Sequence, residues 1–542
     1  MSTVNTLKSE SIKKSFSWFP PMHEKATALG KKLRKNHGCA HITDHTSFLD
    51  QGDIFILCAG AKYNTSDLLH LANQKKPSVL IVDSSEKKNV KTWIKDNTKN
   101  SKKLENKTYF LGSLKRLSGF IASSFYEFPS EKIIISAITG TNGKTTVANA
   151  AAIAFANCKE ICASLGTLGL ITYKKNIETI EEIKINDFDL TTPSAVLLHR
   201  NLNELIKLGV ERLFIEASSI GLIQGRLLGC KIRHTAMTNL GHDHLDYHGS
   251  FENLEFSKSL LFTAPDIESA VFTESNRFSK AVSERIIRKL NNKVKYFYVS
   301  AKNNRISSEI NLKINSISDD VTNVTYQDSS SENNELSLTT IGKYNIENAA
   351  VVAGLMHAAG KKKEEIISGL KKFKTPLGRM DFLKEEGCPL VCIDYAHTPE
   401  ALERILTTLR DLSKKRNGKL YCIFGCGGDR DKSKRKKMGK VATKYCTKGI
   451  ITSDNPRTEP LGEIIADIYS GIDKKIKHNW RKITNRGEAI NHIVSKAKKN
   501  DVVLVAGKGH ENYQIFDSRK IYYSDYEETR SAFNVRKLNL EK

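Results

Sequence analysis

A stretch of glycine, lysine and threonine at 139–146, Thr-Gly-Thr-Asn-Gly-Lys-Thr-Thr, has the composition of a phosphate-binding loop. It follows an apolar segment, 133–135, that predicts a buried strand, and it precedes an alanine-rich stretch that predicts a helix. A glycine-rich turn between strand and helix directs backbone N–H groups at one point, which suits a chain of phosphates. Lys144 is expected to reach the β- and γ-phosphates, and Thr145 to place its hydroxyl on Mg²⁺. Ile138 stands at the first glycine of the full pattern, so the loop is a shortened one, and ATP is the expected nucleotide.

Acidic and histidine-rich positions downstream of this loop are candidates for binding a metal ion. Glu216 closes an apolar segment, 212–217, that predicts another strand. A carboxylate at a strand end beside a phosphate loop is a natural second ligand for Mg²⁺, although a solvated glutamate gives the same pattern. The segment 239–248 contains three histidines and two aspartates, which indicates a metal site, a phosphate site or a polar loop. It lacks cysteine and the His-Glu-x-x-His pattern, so a zinc hydrolase is disfavoured.

Two polar loops nearer the C-terminus offer anchors for an amino acid. The loop 425–431 follows a predicted strand, but Arg430 stands at the last glycine of G-x-G-x-x-G, so the dinucleotide pattern is not met. An arginine at a helix N-terminus suits a carboxylate or a phosphate through its bidentate fork. The segment 454–457, Asp-Asn-Pro-Arg, adds a second arginine, an amide and a carboxylate. Together these loops can hold the ammonium and the carboxylate of an amino acid.

Alternating strands and helices must position these residues. The last block has predicted strands at 390–394, 420–424, 449–452 and 502–506, with a helix predicted over 399–412. This alternation predicts a doubly wound parallel sheet whose ligands bind beyond the carboxyl ends of the strands. The polar clusters lie at those ends, at 394–397, 425–430, 454–457 and 507–511.

The length of 542 residues is too great for one core, and we predict an α/β protein of three domains. A small N-terminal α/β domain is predicted over 1–110, after a polar lead-in at 1–35. A central P-loop ATPase domain with a parallel sheet is predicted over 111–374, opening with an amphipathic helix and containing a weaker β-rich region near 295–340. A C-terminal Rossmann-like domain is predicted over 375–542.

The composition narrows the class of protein. Lys and Arg number 85 against 60 Asp and Glu, a net charge of +25 that suits either nucleic acid or polyanionic small substrates. The lysines are scattered and no nucleic-acid motif is present, so small substrates are favoured. Ten cysteines without a Cys-x-x-Cys pair predict reduced thiols in a cytoplasmic protein. No apolar run approaches the ~20 residues of a membrane span, and no signal peptide is visible.

Taken in this order, the motifs resemble those of the Mur ligases of bacterial cell-wall synthesis, in particular the members that add meso-diaminopimelate. The resemblance covers residues 110–542 well and the first 110 residues weakly. The motifs that carry it are Thr-Gly-Thr-Asn-Gly-Lys-Thr-Thr at 139–146, Glu-Ala-Ser-Ser at 216–219, Asp-His-Leu-Asp-Tyr-His-Gly at 243–249, Gly-Arg-Met-Asp at 378–381, Asp-Tyr-Ala-His-Thr-Pro at 394–399, Gly-Gly-Asp-Arg-Asp at 427–431, Asp-Asn-Pro-Arg at 454–457 and Gly-Lys-Gly-His-Glu at 507–511.

The resemblance implies a fold and a reaction. The three domains would bind the uridine nucleotide, ATP and the amino acid. ATP would phosphorylate the free side-chain carboxylate of D-Glu in UDP-MurNAc-L-Ala-D-Glu, and the amine of meso-diaminopimelate would then displace phosphate to form an amide. Mg²⁺ would be the cofactor, and the expected chain is a monomer that binds no nucleic acid.

The family's functional residues carry over to positions of this chain. The resemblance implies ATP contacts at Gly140, Thr141, Asn142, Gly143, Lys144, Thr145, Thr146, Asn345, Asn348, Arg379 and Asp394. It implies contacts to the UDP-MurNAc-dipeptide at Thr191, Thr192, Ser218, Gln224 and Arg226. It implies an amino-acid pocket at Arg430, Asp454, Asn455, Pro456, Arg457, Gly507 and Glu511. The implied metal ligands are Thr145, Glu216, His244 and a carbamylated Lys258, and the implied catalytic residues are Lys144, Lys258 and His244.

The segment Asp-Asn-Pro-Arg bears on the choice of amino acid. In this family it accompanies meso-diaminopimelate, whose distal carboxylate Asn455 and Arg457 would bind. L-lysine has no such carboxylate and would leave Arg457 an unpaired buried charge, at a cost of several kcal/mol.

Three positions depart from the family pattern. Ile220 stands where histidine is usual, and Asn485 stands where aspartate is common. The N-terminal Asp-Ser-Arg signature is represented by His45-Thr46-Ser47. Because the arginine is missing there, no site is predicted in the first domain.

Other functions remain open on the sequence. A P-loop motor or signalling NTPase would explain the phosphate loop but would need no amino-acid loops in a third domain. Two sister ligases, folylpolyglutamate synthetase and the L-lysine-adding homologue, are disfavoured by Asp454 to Arg457. A plastid homologue that has lost catalysis is disfavoured by the presence of Lys144, Glu216, His244 and Lys258.

Overall fold

The structure is a computed structural model of the 542-residue chain. It describes residues 16–58, 64–97, 105–177, 179–188, 190–241, 244–274, 277–288, 294–302, 308–318, 320–330, 332–517 and 519–540. The chain forms two compact units. The first comprises Met1–Leu240, Tyr247–Tyr298 and Gly354–Gly369, and the second comprises Gly241–Asp246, Val299–Ala353 and Leu370–Lys542.

The strands, in chain order, are β1 (Ile42–Thr43), β2 (Ile54–Leu57), β3 (Val79–Asp83), β4 (Thr108–Leu111), β5 (Ile134–Thr139), β6 (Cys162–Gly166), β7 (Gly169–Lys175), β8 (Ile180–Asn186), β9 (Arg212–Glu216), β10 (His234–Met237), β11 (Ser269–Thr273), β12 (Lys295–Ser300), β13 (Ile310–Ile317), β14 (Thr322–Gln327), β15 (Asn334–Leu338), β16 (Asp381–Leu383), β17 (Leu390–Asp394), β18 (Leu420–Phe424), β19 (Lys448–Ile451), β20 (Trp480–Lys482), β21 (Val502–Ala506), β22 (Tyr513–Phe516) and β23 (Arg519–Tyr522).

The α-helices are α1 (His23–Asn36), α2 (Thr65–Lys75), α3 (Lys87–Asn97), α4 (Leu114–Phe125), α5 (Lys144–Asn157), α6 (Ala195–Lys207), α7 (Ser219–Ile223), α8 (Leu245–His248), α9 (Phe251–Ser259), α10 (Arg277–Ile287), α11 (Lys343–Ala358), α12 (Lys363–Leu370), α13 (Pro399–Lys415), α14 (Ser433–Tyr445), α15 (Leu461–Ser470), α16 (Arg486–Lys496) and α17 (Asp525–Leu540). Within the described part of the chain, no helix is long and apolar enough to span a membrane.

The first unit contains two sheets. Strands β1 to β4 form a parallel sheet in sequence order. The second sheet has the order β11-β10-β5-β9-β6-β7-β8, in which β11, β10, β5, β9 and β6 are parallel. Strands β7 and β8 add an antiparallel edge. The phosphate-loop strand β5 therefore lies between β10 and β9, so residues that follow these three strands come together at one edge.

The second unit contains a six-stranded sheet of order β16-β17-β21-β18-β19-β20. All its strands are parallel except β16. Strands β13 to β15 form an antiparallel meander, and β22 and β23 form a hairpin. The core strands β17, β18 and β21 are buried at every position, because each is an apolar run covered on both faces.

The α/β fold class predicted from the sequence is confirmed, and most predicted elements exist. The strands β17, β18 and β21 have the predicted bounds, and the β-rich region near 295–340 contains β12 to β15. The helix expected at the start of the central block is α4, and it is buried at nearly every position. The three predicted domain boundaries stay a prediction.

The polar lead-in predicted for 1–35 is wrong for its second half, because residues 23–36 form helix α1. This helix packs against α4 at very short range: a Cβ atom on Gly30 would lie 2.1 Å from the Oγ atom of Ser124. Only Ala26, Gly30 and Leu33 of α1 are buried, so the apolar signal in the sequence is weak. Residues 1–15 lie outside the described part.

Candidate active site

The phosphate loop connects β5 to α5, as the sequence predicted. Gly140 and Gly143 have φ angles of 145° and 88°, which favour glycine. A Cβ atom on Gly140 would lie 2.0 Å from the Oγ1 atom of Thr238, so any other residue would force the loop or Thr238 to shift. The Nζ atom of Lys144 donates hydrogen bonds to the carbonyl oxygens of Gly140 at 2.8 Å and Thr141 at 3.0 Å. The ammonium group of Lys144 thus lies against the loop that would bind the phosphates.

Residues that follow β10 fix the shape of this loop. The carbonyl oxygen of Asn239 accepts the Thr141 N–H at 2.9 Å, and its Oδ1 atom accepts the Asn142 N–H at 3.0 Å. The amide of Asn239 donates to the carbonyl oxygen of Asn142 at 2.9 Å. Sequence reasoning placed Asn239 in the segment 239–248, which indicated a metal site, a phosphate site or a polar loop, and gave the residue no role of its own. No local signal marks its role, since the contact spans 97 residues.

The Glu216 carboxylate lies directly beside the start of α5. Its Oε2 atom accepts a hydrogen bond from Thr145 Oγ1 at 2.9 Å, and its Oε1 atom accepts the N–H of Thr167 at 2.7 Å. A Cβ atom on Gly166 would lie 2.0 Å from this carboxylate, so glycine leaves room for it. Two of the residues predicted to hold Mg²⁺, Thr145 and Glu216, are therefore in contact.

Lys258 is buried, with 2% of its surface exposed. Its Nζ atom donates a hydrogen bond to the carbonyl oxygen of Gly140 at 2.8 Å. The adjacent residue Ser257 contacts Nδ1 of His248 at 3.3 Å, and Nε2 of the same ring contacts Ser219 Oγ at 3.0 Å. The buried His248 thus connects α9, which carries Lys258, to the N-terminus of α7.

The structure describes only part of the histidine-rich segment 239–248. His244 is exposed, with a φ angle of 50°, and lies in the segment Gly241–Asp246 of the second unit. His242 and Asp243 lie outside the described residues. Across the described ranges, no three His, Cys, Asp or Glu side chains are grouped as a metal site. All ten cysteines are free thiols, as the sequence predicted.

The structure brings together all five residues implied to contact the UDP-MurNAc-dipeptide. Thr192 Oγ1 donates to the carbonyl oxygen of Glu216 at 2.7 Å and lies 3.0 Å from Ser218 Oγ. Arg226 donates to the carbonyl oxygen of Thr192 at 2.6 Å and to Gln224 Oε1 at 2.8 Å. Thr191 accepts a hydrogen bond from Thr167 Oγ1 at 3.2 Å. This polar network begins at the Glu216 strand end, so it adjoins the phosphate loop.

The N-terminal region of the first unit reaches this network. Asp44 accepts a hydrogen bond from Ser194 Oγ at 2.7 Å, and Arg200 donates to the carbonyl oxygen of Phe48 at 2.9 Å. Burial raises the pKa of Asp44, against the opposing effects of the Ser194 hydrogen bond and of Arg226. Sequence reasoning placed no site here. The segment that replaces the family signature nevertheless lies next to the predicted substrate contacts.

Four residues implied to contact ATP belong to the second unit. Asn345 and Asn348 lie on the first turns of α11, both buried, and Asn345 donates to the carbonyl oxygen of Ile341 at 3.0 Å. Between them, burial raises the pKa of Glu347 to about 7, although Lys343, Arg404 and Lys302 lower it.

Asp394 precedes Tyr395 in the chain, and Arg379 contacts the ring of Tyr395. The carboxylate of Asp394 accepts the N–H groups of Met380 and Ala396, each at 2.7 Å. Burial raises its pKa, while Arg379 and these hydrogen bonds lower it. The guanidinium of Arg379 stacks over the Tyr395 ring at 4.7 Å from the centroid.

The loops predicted to form the amino-acid pocket meet at the carboxyl edge of the six-stranded sheet. Gly428 N–H donates to the carbonyl oxygen of Asn455 at 2.9 Å, and the Arg457 guanidinium donates to the carbonyl oxygen of Gly428 at 2.8 Å. A Cβ atom on Gly507 would lie 2.5 Å from Asp454 Oδ2. The amide of Asn455 donates to Glu511 Oε2 at 3.0 Å. Of the residues implied for this pocket, all of which the structure describes, Arg430 alone is exposed. A Cβ atom built on Gly427 would lie 3.7 Å from the Cγ atom of Arg430.

Strand β22 supports the Asp454–Arg457 segment along its length. Gln514 donates to the carbonyl oxygen of Asp454 at 2.9 Å, and Ile515 N–H donates to Asn455 Oδ1 at 3.1 Å. The backbone of Arg457, whose φ angle is 54°, donates to Ile515 O at 3.0 Å and accepts from Asp517 N–H at 2.7 Å. The sequence analysis missed this hairpin and its role.

Two buried arginines form ion pairs next to the pocket loops. Arg435 forms a bidentate pair with Glu459, both bonds 2.7 Å long, and these hydrogen bonds lower the pKa of Glu459 to about 2. Arg486 pairs with Asp525 through bonds of 2.7 and 2.8 Å. Asn485, the departure from aspartate, still caps α16, because its side chain accepts the Glu488 N–H at 3.1 Å.

Comparison with known families matches two segments of the chain. Residues 138–356 match the Mur ligase middle domain, and residues 378–509 match the Mur ligase glutamate ligase domain. A protein of Janthinobacterium sp. strain Marseille named UDP-N-acetylmuramoyl-L-alanyl-D-glutamate–2,6-diaminopimelate ligase is 36% identical over 433 residues, covering 79% of this chain and 83% of the relative. A Bacillus cereus protein of the same name is 35% identical over 430 residues, covering 78% and 82%.

Solved structures agree with this grouping. A structure titled UDP-N-acetylmuramoyl-L-alanyl-D-glutamate–2,6-diaminopimelate ligase is 27% identical, with a TM-score of 0.58, covering 92% of this chain and 95% of the other. The MurF ligase of Thermotoga maritima, solved in complex with ADP, has a TM-score of 0.61 at 14% identity and covers 92% and 98%. The second likeness supports the fold alone.

Proposed function

The chain belongs to the Mur ligase family, and on that premise we propose that it is an ATP-dependent ligase that adds meso-diaminopimelate to UDP-MurNAc-L-Ala-D-Glu. This reaction belongs to the synthesis of peptidoglycan precursors. The observation that carries the proposal is the pocket in which Asn455, Arg457 and Glu511 converge beside the Gly-rich loop 425–428. A guanidinium, an amide and a carboxylate in one place suit a zwitterionic amino acid, which an NTPase without an amino-acid substrate would not need.

The chemistry proceeds through an activated carboxylate. An oxygen of the D-Glu side-chain carboxylate attacks the γ-phosphorus of ATP, so an acyl phosphate forms and ADP leaves. The amine of meso-diaminopimelate then attacks the acyl carbon, and the tetrahedral intermediate collapses with loss of phosphate and a proton to give the amide. A carboxylate alone is a poor electrophile, and phosphorylation supplies the leaving group.

The phosphate loop reduces the repulsion between the two anions that must meet. Lys144 exchanges the carbonyl oxygens of Gly140 and Thr141, which it contacts here, for phosphate oxygens when the nucleotide is bound. The loop is already shaped by Asn239, which accepts the N–H groups of Thr141 and Asn142, so the other N–H groups of the loop need little rearrangement. Pre-arranged donors of this kind stabilise developing charge without a reorganisation cost.

The residues beside the loop fit a magnesium ion. Thr145 and Glu216 supply a hydroxyl and a carboxylate 2.9 Å apart, and oxygen atoms are the ligands that Mg²⁺ prefers. Bound there, the ion would neutralise phosphate charge. We assign Lys258 as a carbamate in the working enzyme, because a carbamate supplies an anion where an ammonium would add a second cation. His244 is the proposed further ligand from the resemblance.

The acceptor substrate is held by the network of Thr191, Thr192, Ser218, Gln224 and Arg226. These side chains place a guanidinium, hydroxyls and an amide next to the phosphate loop. The mixed set suits a peptide carboxylate and its amide groups. The D-Glu carboxylate is thereby directed at the γ-phosphate.

The experiment that tests the proposal measures phosphate release from ATP and Mg²⁺ with UDP-MurNAc-L-Ala-D-Glu. Meso-diaminopimelate and L-lysine are added in parallel, and the product is identified by mass spectrometry. We expect release that depends on meso-diaminopimelate, together with a UDP-MurNAc-tripeptide. Dependence on L-lysine would contradict the specificity, and release without any amino acid would contradict the ligase reaction itself.

A further inference from the structure

We infer that Lys508 is a positioning residue that sets the selectivity of the amino-acid pocket, an inference that rests on the proposed function. Its side chain is completely buried, with 0% exposed. The Nζ atom donates hydrogen bonds to Asn455 Oδ1 at 3.1 Å and to Glu511 Oε2 at 2.9 Å. Lys508 therefore contacts two residues of the pocket.

The first consequence concerns the orientation of the Asn455 amide. A lysine ammonium has three donors and no acceptor, so the atom of Asn455 that faces it must be the oxygen. The N–H of Ile515 approaches the same oxygen at 3.1 Å. The NH₂ group is therefore directed to Glu511 at 3.0 Å and keeps its second N–H for a substrate carboxylate. Without Lys508, one of the two donors that fix this orientation is lost.

The second consequence concerns the Glu511 carboxylate. Its Oε2 atom accepts hydrogen bonds from both Lys508 and Asn455. Among the described residues, both of these hydrogen bonds fall on Oε2, so the Oε1 atom remains for a substrate ammonium. Lys508 also balances the charge of Glu511, so a zwitterionic ligand can enter without leaving a net buried charge.

Stability alone gives little reason to bury this lysine. Replacing a buried ion pair by apolar groups of similar volume is often neutral or stabilising. The ammonium of Lys508 lies 5.3 Å from the ring centroid of Tyr513, so an apolar side chain would also find a partner there. The orientation of two substrate contacts is what an apolar residue at this position would lose.

The test compares Lys508→Met and Lys508→Arg with a matched control, Lys520→Met. Lys520 is exposed, and its Nζ atom lies 3.8 Å from the centroid of the same Tyr513 ring. Its replacement by methionine therefore removes a lysine charge near Tyr513 without changing a residue of the pocket. Michaelis constants are measured for meso-diaminopimelate, ATP and UDP-MurNAc-L-Ala-D-Glu. The ratio of kcat/KM for meso-diaminopimelate to that for L-lysine is measured as well.

For Lys508→Met we expect the KM for meso-diaminopimelate to rise at least about tenfold, because a hydrogen bond from a charged group is lost at each of two substrate contacts. The KM for ATP should change less than about twofold, and the preference over L-lysine should fall. Lys508→Arg should restore part of the preference, and Lys520→Met should match the wild type.

An unchanged KM and an unchanged preference in folded Lys508→Met would overturn the inference. If circular dichroism shows that this variant is unfolded, Lys508→Gln, which keeps a hydrogen-bond donor at the site but loses the charge, is tested for the same changes in KM and preference. The wild-type dependence on meso-diaminopimelate is recorded first. Its absence overturns the proposed function and the inference together, whereas its presence with an insensitive Lys508 overturns the inference alone.

Discussion

The Nζ atom of Lys258 donates a hydrogen bond of 2.8 Å to the carbonyl oxygen of Gly140, across 118 residues of sequence. The lysine is buried beside the first glycine of the phosphate loop. On sequence alone it looks like a surface charge, and only the resemblance to the Mur ligases singles it out. Its position makes chemical sense if the amine carries a carbamate, since an anion is then available beside the loop.

Lys258→Ala should lose at least about a hundredfold in kcat, because removing a positioned charge at a reaction centre costs that much or more. Acetate or formate should restore part of the activity, since a small carboxylate can replace the missing carbamate. The measurement is phosphate release against carboxylate concentration at constant ionic strength. Lys144→Ala is the control: we expect it to be inactive and not rescued, because Lys144 acts as a cation. Absence of rescue in folded Lys258→Ala would count against the carbamate.

Much of the second unit could be predicted from the sequence. Strands such as β17, β18 and β21 are short apolar runs bounded by turn residues, and a run of that kind can be stable only when both faces are covered. Once the strands are parallel, the residues after them must meet at one edge. The approach of Gly428 to Asn455, and of Gly507 to Asp454, follows from that rule.

Contacts that depend on distant partners could not be predicted. Asn239 fixes the shape of the phosphate loop from the end of another strand, and no pattern in the adjacent sequence predicts this contact. Lys508 is one of 85 basic residues, and only its burial against Asn455 distinguishes it. The hairpin of β22 and β23 has few buried positions, so its apolar signal is weak although it supports the pocket.

Glu216→Gln should raise the Mg²⁺ concentration needed for half-maximal activity by about 10–100-fold, because the amide is a weaker ligand than the carboxylate. The contact with Thr145 at 2.9 Å can persist in this variant, so the fold is expected to survive. The measurement is a Mg²⁺ titration of phosphate release. Glu211→Gln, a change at an exposed residue directly before the same strand, should leave the titration unaltered. If the two variants gave the same Mg²⁺ titration curve, Glu216 would not be a ligand of the metal ion.

Arg457→Lys should raise the KM for meso-diaminopimelate by about tenfold or more and leave the KM for ATP unchanged. A lysine carries the charge but cannot present the bidentate fork to a carboxylate. The Arg457 backbone is held by Ile515 and Asp517, so the substitution changes the side chain without releasing the loop. Arg519→Lys, on the exposed strand of the hairpin, is the matched control. An unaltered KM in the first variant would place Arg457 outside the pocket.

Glu347 makes the stability of the second unit depend on pH. Burial raises its pKa from 4.5 to about 7, so between these values the folded chain holds a proton that the unfolded chain has released. Stability from this group is therefore fully present below pH 4.5 and is lost as the pH rises through about 7. The shift in the pKa of Glu347 corresponds to a loss of at most roughly 3 kcal/mol in the free energy of unfolding at pH 8.

Glu347→Gln should remove this dependence, since the amide does not titrate. The free energy of unfolding of the variant minus that of the wild type should rise between pH 4.5 and about 7 and level off above it. The measurement is urea unfolding across pH 4.5 to 8, with exposed Glu364→Gln as the control for loss of a surface charge. Other titrating groups, such as the buried His199 and His234, contribute equally to both proteins and cancel in the difference. A difference that stays constant over this range would show that Glu347 is ionised in the folded chain at acidic pH.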